Sequence, residues 1–449
     1  MKKLFGTDGV RGVANTELTP ELAFHLGRAG AYILTKEQNH TPKILIGTDT
    51  RISSDMLEAA LTAGMCSVGA EVITAGVLPT PAVAYLVRHY GLDAGVVVSA
   101  SHNPFPDNGI KFFNNRGYKL SDALEDEIEH LILEDHTIPT PTGAGIGIRR
   151  TAPTALDDYV DFLKSTMDGL RLDGLKIAID CANGATSQAA PRLLSALGAE
   201  VFTLHNAPNG TNINDNCGST HMESLADFVR ENPVDLAFAF DGDGDRCLAM
   251  DEHAQIIDGD EMLSICGNDM LSSGTLAQNT IVATVMSNLG LSLMGRAQGL
   301  HIEQTKVGDR YVLERMLEYG FNLGGEQSGH LIFLDHNTTG DGLLTALRLA
   351  SIAKRTGKSL SALNTYMQKL PQVLVGAKVH NDRKMHFREN DRVRQAIADL
   401  ESKLAGQGRV LVRPSGTEPL VRVMLEGPDL TSLTTEANHL AQILEKELN

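Results

Sequence analysis

The 449-residue chain contains no tryptophan, only five cysteines and far fewer cations than anions. Each shortage narrows what it can do. With 39 Lys and Arg against 56 Asp and Glu, the formal net charge is -17. Nucleic acids and anionic membrane surfaces are held by basic fields, so this balance argues against both partners. An anionic ligand must instead meet a local cluster of cations. The cysteines, Cys66, Cys181, Cys217, Cys247 and Cys266, show no C-x-x-C and no zinc-finger spacing. They read as buried thiols of a reducing compartment, which points to the cytoplasm. Nowhere do the ~18 consecutive apolar residues of a membrane span occur. The opening from Met1 to Gly9 has Lys2 and Lys3 but only a two-residue apolar patch, too little for a signal peptide. Short-period repeats are missing as well.

What is present is an ordinary globular composition, 42% apolar with 43 glycines, which argues against disorder, collagen and coiled coil. At ~150 residues per domain the length suggests three or four domains. From Lys43 onward, short β-branched runs alternate with amphipathic stretches: Lys43 to Gly47, Ser54 to Gly69, Glu71 to Ala75, Pro81 to Tyr90 and Ala94 to Ser99. That alternation predicts a parallel sheet covered by helices. The stretch from Thr137 to Thr154, rich in Pro and Gly and poor in apolar residues, reads as a linker. A second α/β unit has strands at Leu175 to Asp180, Val201 to Leu204 and Val234 to Phe240. A third has strands at Ile281 to Val285 and Ile302 to Thr305, with helices around Tyr311 to Tyr319 and Gly342 to Arg355. Beyond Pro371 the order strand, helix, hairpin, helix suggests a smaller α+β domain.

Four stretches could carry chemistry. The apolar run Gly95 to Val98 leads into Ser99-Ala100-Ser101-His102-Asn103-Pro104, so Ser101 lies just past the carboxyl end of a buried strand, where open α/β sheets bind ligands. Taken alone, the local residues favour a plain turn before Pro104. No G-x-S-x-G elbow is present, and His102 is a poor base for its neighbour because adjacent side chains usually diverge. Next comes Asp241-Gly242-Asp243-Gly244-Asp245-Arg246 after the apolar run Val234 to Phe240. Three carboxylates at alternate positions can converge on one hard cation such as magnesium. An EF-hand fails because Arg246 stands where Gly is needed and a strand precedes the loop. A haloacid-dehalogenase-type phosphatase, with Asp241 as nucleophile, would leave Ser101 idle.

In Gly324-Gly325-Glu326-Gln327-Ser328-Gly329-His330, glycines admit a ligand to the backbone and Glu326 and Ser328 offer hydrogen bonds suited to sugar hydroxyls. A solvated hairpin turn fits that stretch too. Finally, Arg413-Pro414-Ser415-Gly416-Thr417-Glu418-Pro419, with Arg422, has the parts of a phosphate cradle, or of an ordinary surface hairpin. Two other matches are decoys. Gly357-Lys358-Ser359 lacks the leading Gly of a P-loop and reads as a helix stop followed by a Ser cap. Gly143, Gly145 and Gly147 do not lie between a strand and a helix, so they form no dinucleotide fingerprint.

Taken in order, Phe5 to Gly12, Ser99 to Pro104 with Asn108-Gly109-Ile110-Lys111, Asp241 to Arg246, Gly324 to His330 and Arg413 to Pro419 resemble the α-D-phosphohexomutase family over nearly the whole chain. The opening Lys3 to Gly12 and Gln327 resemble the branch acting on glucosamine phosphates; relatives acting on mannose or glucose phosphates more often have Met at the Gln327 position. The resemblance implies three similar α/β domains with mixed sheets plus a smaller C-terminal α+β domain around a central cleft, at 1–150, 151–252, 253–369 and 370–449. It implies that Ser101 is a phosphoserine and that Asp241, Asp243 and Asp245 hold one Mg²⁺ with a phosphoryl oxygen on Ser101. Glu326 and Ser328 would grip the sugar, and Arg413, Ser415, Gly416, Thr417 and Arg422 the phosphate that is not reacting. Arg11, His102, Lys111 and Arg246 would complete the catalytic set, with Lys111 the candidate general acid or base. The expected activity interconverts glucosamine 6-phosphate and glucosamine 1-phosphate, with glucosamine 1,6-bisphosphate or another hexose 1,6-bisphosphate as activator, toward cell-wall precursors. The partner is then a small phosphosugar, and a homodimer is compatible with the sequence. One departure stands out: Thr48 occupies a position where the family usually has Arg or Lys, which removes one cationic contact near Arg51. The competing classes are a mannose or glucose phosphate mutase, a phosphatase and a phosphosugar-binding protein without catalysis.

Overall fold

The computed structural model describes residues 4–6, 8–36, 39–135, 137–415 and 419–449. These residues form two compact units, Met1–Met286 with Ile302–Thr365, and Ser287–His301 with Tyr366–Asn449.

The first unit is built on three mixed sheets. In the first, strands β1 (Val10–Val13), β2 (Lys43–Thr48), β3 (Glu71–Val77), β4 (Ala94–Val98), β5 (Asp107–Asn114) and β6 (Arg149–Thr151) lie in the order β1-β5-β4-β2-β3-β6. Strands β2, β3, β4 and β6 run parallel, while β5 and β1 form an antiparallel edge. β4 is buried at every position, as its unbroken apolar run requires of a strand covered on both faces. The helices Pro20–Thr35 and Ser54–Cys66 cross on this sheet. At Gly64 an added Cβ would stand 2.1 Å from the Phe24 carbonyl oxygen, so only glycine lets the two backbones meet.

The second sheet orders β7 (Lys176–Asp180), β8 (Glu200–Leu204), β9 (Leu236–Phe240), β10 (Cys247–Met250) and β11 (Ile256–Ile257) as β11-β10-β9-β7-β8. The third orders β12 (Thr280–Thr284), β13 (His301–Thr305), β14 (Leu323–Gly325) and β15 (Leu331–Phe333) as β13-β12-β14-β15. All three sheets repeat one device. A buried strand that is parallel to its inner neighbour turns through a short loop into an antiparallel strand: β4 into β5, β9 into β10, β14 into β15. Those three loops carry Ser101, the acidic triplet and Glu326.

The second unit has the antiparallel sheet β16 (Gln372–Lys378), β17 (Arg409–Pro414) and β18 (Leu420–Glu426), ordered β16-β18-β17 and covered by the helices Asp391–Leu404 and Leu430–Leu448. The fold class is thus the expected one. The stretch read as a linker differs: its residues Arg149–Thr151 pair in parallel with β3 at the sheet edge. All three are exposed, so no apolar alternation marked them as strand. The supposed P-loop end is a helix stop, with Gly357 left-handed at φ 66° and the Ser359 side chain accepting from the Ala362 N–H.

Candidate active site

Ser101 is 2% exposed and sits in the left-handed region at φ 53°, a conformation that costs a non-glycine residue ~1–3 kcal/mol and persists only where surroundings enforce it. Arg51, Asn214 and Gly242 enforce it. Arg51, 2% exposed, donates from Nη2 to the carbonyl oxygens of Ser101 (3.0 Å) and Asn103 (2.8 Å), and from Nη1 to that of Pro104 (2.6 Å). Its Nε donates to Asp49 at 2.8 Å, and Asp49 in turn accepts from the Ser99 hydroxyl. From the second sheet's side, the Asn214 amide donates to the same Ser101 oxygen at 2.8 Å. Gly242 completes the seat, since a Cβ there would stand 2.5 Å from that oxygen.

So held, Ser101 Oγ donates to Asp241 Oδ2 at 2.6 Å and lies 3.3 Å from His102 Nδ1. The adjacent side chains therefore meet, contrary to the expectation that they diverge. The left-handed backbone at Ser101 is what turns them to one side. Burial, with Arg246 and Arg11 nearby, lowers the His102 pKa, so this imidazole is neutral at neutral pH.

Asp241, Asp243 and Asp245 each bring a carboxylate oxygen within 4.8 Å of the others, and all three are buried. Burial, then repulsion from Asp245 and Asp243, pushes the Asp241 carboxyl well above its ordinary pKa. Oδ1 of Asp243 and Oδ1 of Asp245 are buried without a hydrogen-bond partner. Orphaned carboxylate oxygens facing one another are what a hard dication accepts, and the donor set is oxygen only. The fit is good, and the three oxygens and Ser101 Oγ are the atoms that would hold such an ion.

Cations surround this negative core. Lys111 Nζ lies 2.8 Å from Asp243, 2.9 Å from Asp8 and 4.0 Å from Asp245. Burial works against its charge, yet these three carboxylates raise its pKa. A proton-trading lysine needs the opposite shift, so this direction favours a fixed positive charge at Lys111 over the acid or base role expected of it. Arg246 Nη1 reaches His102 Nδ1 at 3.3 Å, and Arg11 pairs with Asp8. Glu326 is half-buried, accepts the Gly308 N–H at 3.0 Å and contributes to raising the pKa of Arg246. Ser328 is exposed on the same hairpin. That hairpin is tied to the second sheet by the Cys247 N–H, which donates to Gly329 O at 3.1 Å.

Comparison with known proteins places this arrangement. Residues 2–138, 157–255 and 258–370 match the phosphoglucomutase/phosphomannomutase alpha/beta/alpha domains I, II and III, and 374–443 match the C-terminal domain. The chain belongs to the phosphoglucomutase/phosphomannomutase family. Relatives in Ruminiclostridium cellulolyticum and Clostridium novyi, both named phosphoglucosamine mutase, are 58% and 59% identical over 450 residues, covering all of either chain. A phosphoglucomutase/phosphomannomutase family protein of Burkholderia thailandensis has the same fold, with a TM-score of 0.83 at 24% identity over 100% of this chain and 99% of that one. So does the Aspergillus fumigatus N-acetylphosphoglucosamine mutase solved with GlcNAc-6P and magnesium, with a TM-score of 0.70 at 17% identity over 99% and 96%.

Within this phosphoglucomutase/phosphomannomutase chain, the first unit brings together Ser101, His102, Arg11, Lys111, the three aspartates, Arg246 and Glu326, and carries Ser328 on the Glu326 hairpin. The second unit carries the remaining expected residues. Arg413 and Arg422 face each other across β17 and β18, a like-charge pair that a sheet tolerates poorly by itself. Arg413 Nε is buried without a partner, and burial and Arg422 lower the Arg413 pKa. Both facts favour an anion at this end of the hairpin. Ser415 is 3% exposed, while Gly416 and Thr417 lie outside the described residues.

Several residues of the site have no sequence signature of their own. Thr80 donates to Asp243 at 2.6 Å. Lys119 bridges Asp8 (2.5 Å) and Asp309 (2.6 Å). Buried His330 lies 3.5 Å from Asp245 and accepts the Gly340 N–H at 3.0 Å through Nε2. The only warning for Asn214 was the density of asparagines from Asn206 to Asn216, a composition that favours left-handed turns.

Proposed function

We propose that the protein interconverts glucosamine 6-phosphate and glucosamine 1-phosphate, the activity for which its relatives of 58–59% identity are named. The observation that carries the mechanism is Ser101 Oγ seated 2.6 Å from Asp241 in a loop whose Ser101, Asn103 and Pro104 carbonyls are held by Arg51 and Asn214. Phosphoryl transfer asks for in-line positioning and charge stabilisation more than for covalent chemistry from side chains. A strained, clamped serine beside a carboxylate triplet and three cations answers that need.

In this reading, phosphorylated Ser101 gives its phosphoryl group to the 1-hydroxyl of glucosamine 6-phosphate. The Ser101 O–P bond breaks, the sugar O1–P bond forms, and the hydroxyl proton leaves to a base. The 1,6-bisphosphate then turns over and returns its 6-phosphoryl group to Ser101, releasing glucosamine 1-phosphate. When Ser101 is the acceptor, two groups beside Oγ are able to take its proton, Asp241 at 2.6 Å and neutral His102 at 3.3 Å. Lys111, Arg11 and Arg246 stabilise the spreading negative charge. Mg²⁺, held by Asp241, Asp243 and Asp245, would supply Lewis-acid stabilisation of the phosphoryl oxygens. Glu326 and Ser328 bind sugar hydroxyls, and Arg413, Ser415, Gly416, Thr417 and Arg422 bind the phosphate that is not reacting. A hexose 1,6-bisphosphate primes Ser101. A cytoplasmic setting suits a chain in which no helix, among the described residues, is long and apolar enough to cross a membrane.

The test is turnover of glucosamine, glucose and mannose 6-phosphates with a 1,6-bisphosphate present. Glucosamine 6-phosphate should give the highest kcat/KM. Faster turnover of glucose or mannose 6-phosphate would replace the amino-sugar assignment.

A further inference from the structure

A second cluster of metal-type donors lies in the second sheet, made of residues the mechanism does not use. Asp180 ends β7 and His205 follows β8, so the two stand side by side at the carboxyl ends of adjacent parallel strands. The segment after His205 loops back and delivers Cys217 to the same place. One donor atom from each of the three lies within 4.8 Å of the others. Asp180 and Cys217 are fully buried, and His205 keeps one edge toward solvent. The Asp180 carboxylate accepts from His205 Nδ1 and from the Ala182 N–H, both at 2.9 Å. The Asn183 amide points at Cys217 Sγ from 3.9 Å.

We propose that Asp180, His205 and Cys217 bind a transition-metal dication of the zinc class, and that this ion locks the loop holding Ser101. The inference does not depend on which sugar is turned over. The acidic triplet offers oxygen only, whereas this set offers thiolate, imidazole and carboxylate, the ligands zinc takes. Ligand atoms around tetrahedral zinc stand roughly 3.3–3.8 Å apart, so modest side-chain rotation closes the set, and water fills the fourth position. Burial and then Asp180 push the Cys217 thiol up to about 12. A bound dication becomes the largest local charge and reverses that order.

Five of the eleven non-glycine residues with positive φ among those described, Ala182, Asn183, His205, Asn214 and Asn216, surround the cluster; Asn tolerates that conformation, so the strain is sharpest at Ala182. Such strain persists only where surrounding structure enforces it, and a three-point metal clip would do so. The link to the active site is Asn214. Its N–H donates to Ala182 O at 2.9 Å, and its side-chain amide donates to Ser101 O and Asn103 O at 2.8 and 3.0 Å.

The experiment uses the full-length protein with saturating Mg²⁺, which occupies the oxygen site, and titrates Co²⁺ followed by competing Zn²⁺. The expected result is a near-ultraviolet thiolate-to-cobalt charge-transfer band that Zn²⁺ abolishes and that Cys217→Ser lacks. His205→Gln should weaken Zn²⁺ binding by more than the ~10–100-fold that loss of an outer-shell partner costs. Amides of the Asn214 and Ser101 segments should exchange more slowly with Zn²⁺ bound. The absence of a band in the wild type, or a band undiminished in Cys217→Ser, overturns the proposal. Should Cys217→Ser fail to fold, an unchanged cobalt spectrum and Zn²⁺ affinity in His205→Gln overturns it equally.

Discussion

Replacing Arg51 by Met keeps the aliphatic stem and removes the fork that clamps the Ser101 loop. Four side-chain hydrogen bonds vanish: three to the carbonyls of Ser101, Asn103 and Pro104 and one to Asp49. Asn214 still serves the Ser101 and Asn103 oxygens, and the Asp107 N–H still donates to Pro104 O at 3.1 Å. Asp49 keeps the Ser99 and Ser54 hydroxyls and the backbone N–H of residue 51, yet loses its buried counter-ion. Breaking a buried pair by removing one partner costs ~3–5 kcal/mol. Protonation of Asp49, whose pKa burial already raises against the pull of Arg51, caps the loss near that range. Because a chain of several domains need not unfold in one step, the effect is best read locally, as hydrogen exchange of the Ser101 and Asn103 amides. Their protection should fall by roughly two to three and a half orders of magnitude. A misplacement of Ser101 by ~1 Å would cost about a hundredfold in turnover. Arg51→Lys restores charge without the planar fork and should recover only part of either loss. A change in protection below about tenfold, with turnover intact, would show that Arg51 does not enforce the left-handed serine.

Asp243→Ala removes one ligand of the triplet and leaves Lys111 and Thr80 facing a gap; most activity should go, and EDTA should abolish wild-type activity until Mg²⁺ is returned. Full turnover in metal-free buffer would contradict the metal assignment. Arg422→Ala should weaken both glucosamine 6-phosphate and glucosamine 1-phosphate, each kcat/KM falling roughly ten- to a hundredfold for a lost charge-assisted contact of ~1.5–3 kcal/mol; a loss confined to one substrate would show that the hairpin reads a single orientation. Against the burial that would raise it, Lys119 and His330 hold the Asp309 carboxyl below its ordinary pKa. A lowered acid stabilises the fold above its unfolded value of ~3.9 and loses that contribution as pH falls through the folded value. The urea midpoint of wild type should therefore exceed that of Asp309→Asn near neutral pH, and the gap should narrow below about pH 4.

How much of this could be read from the residues depended on distance along the chain. β4 and the serine loop were legible because a continuous apolar run ending in small polar residues has few other structural solutions. The acidic triplet was legible because three carboxylates separated by glycines repel one another unless something binds them. Gly324 to His330 could be narrowed only to a sugar loop or a solvated hairpin. The structure makes it a hairpin, but one with Gly325 and His330 buried. What could not be read were pairs joined by sheet docking. Thr80 and Asp243 are 163 residues apart and Asn214 and Ser101 are 113 apart, and neither partner carries a local pattern that names the other. The protonation of Lys111 was hidden for the same reason: its cationic character is set by Asp8, Asp243 and Asp245, which come from two different sheets. The edge strand β6 escaped because three exposed polar residues look like loop.

On the mechanism proposed above, Ser101 carries the phosphoryl group. This is tested most directly by incubating the protein with glucose 1,6-bisphosphate and mapping the phosphate by intact mass and peptide analysis, with Ser101→Ala in parallel. One phosphate is expected on Ser101, discharged by glucosamine 6-phosphate, with no measurable mutase turnover in Ser101→Ala. Near-normal turnover in that variant, or a phosphate found on another residue and discharged by substrate, would contradict it.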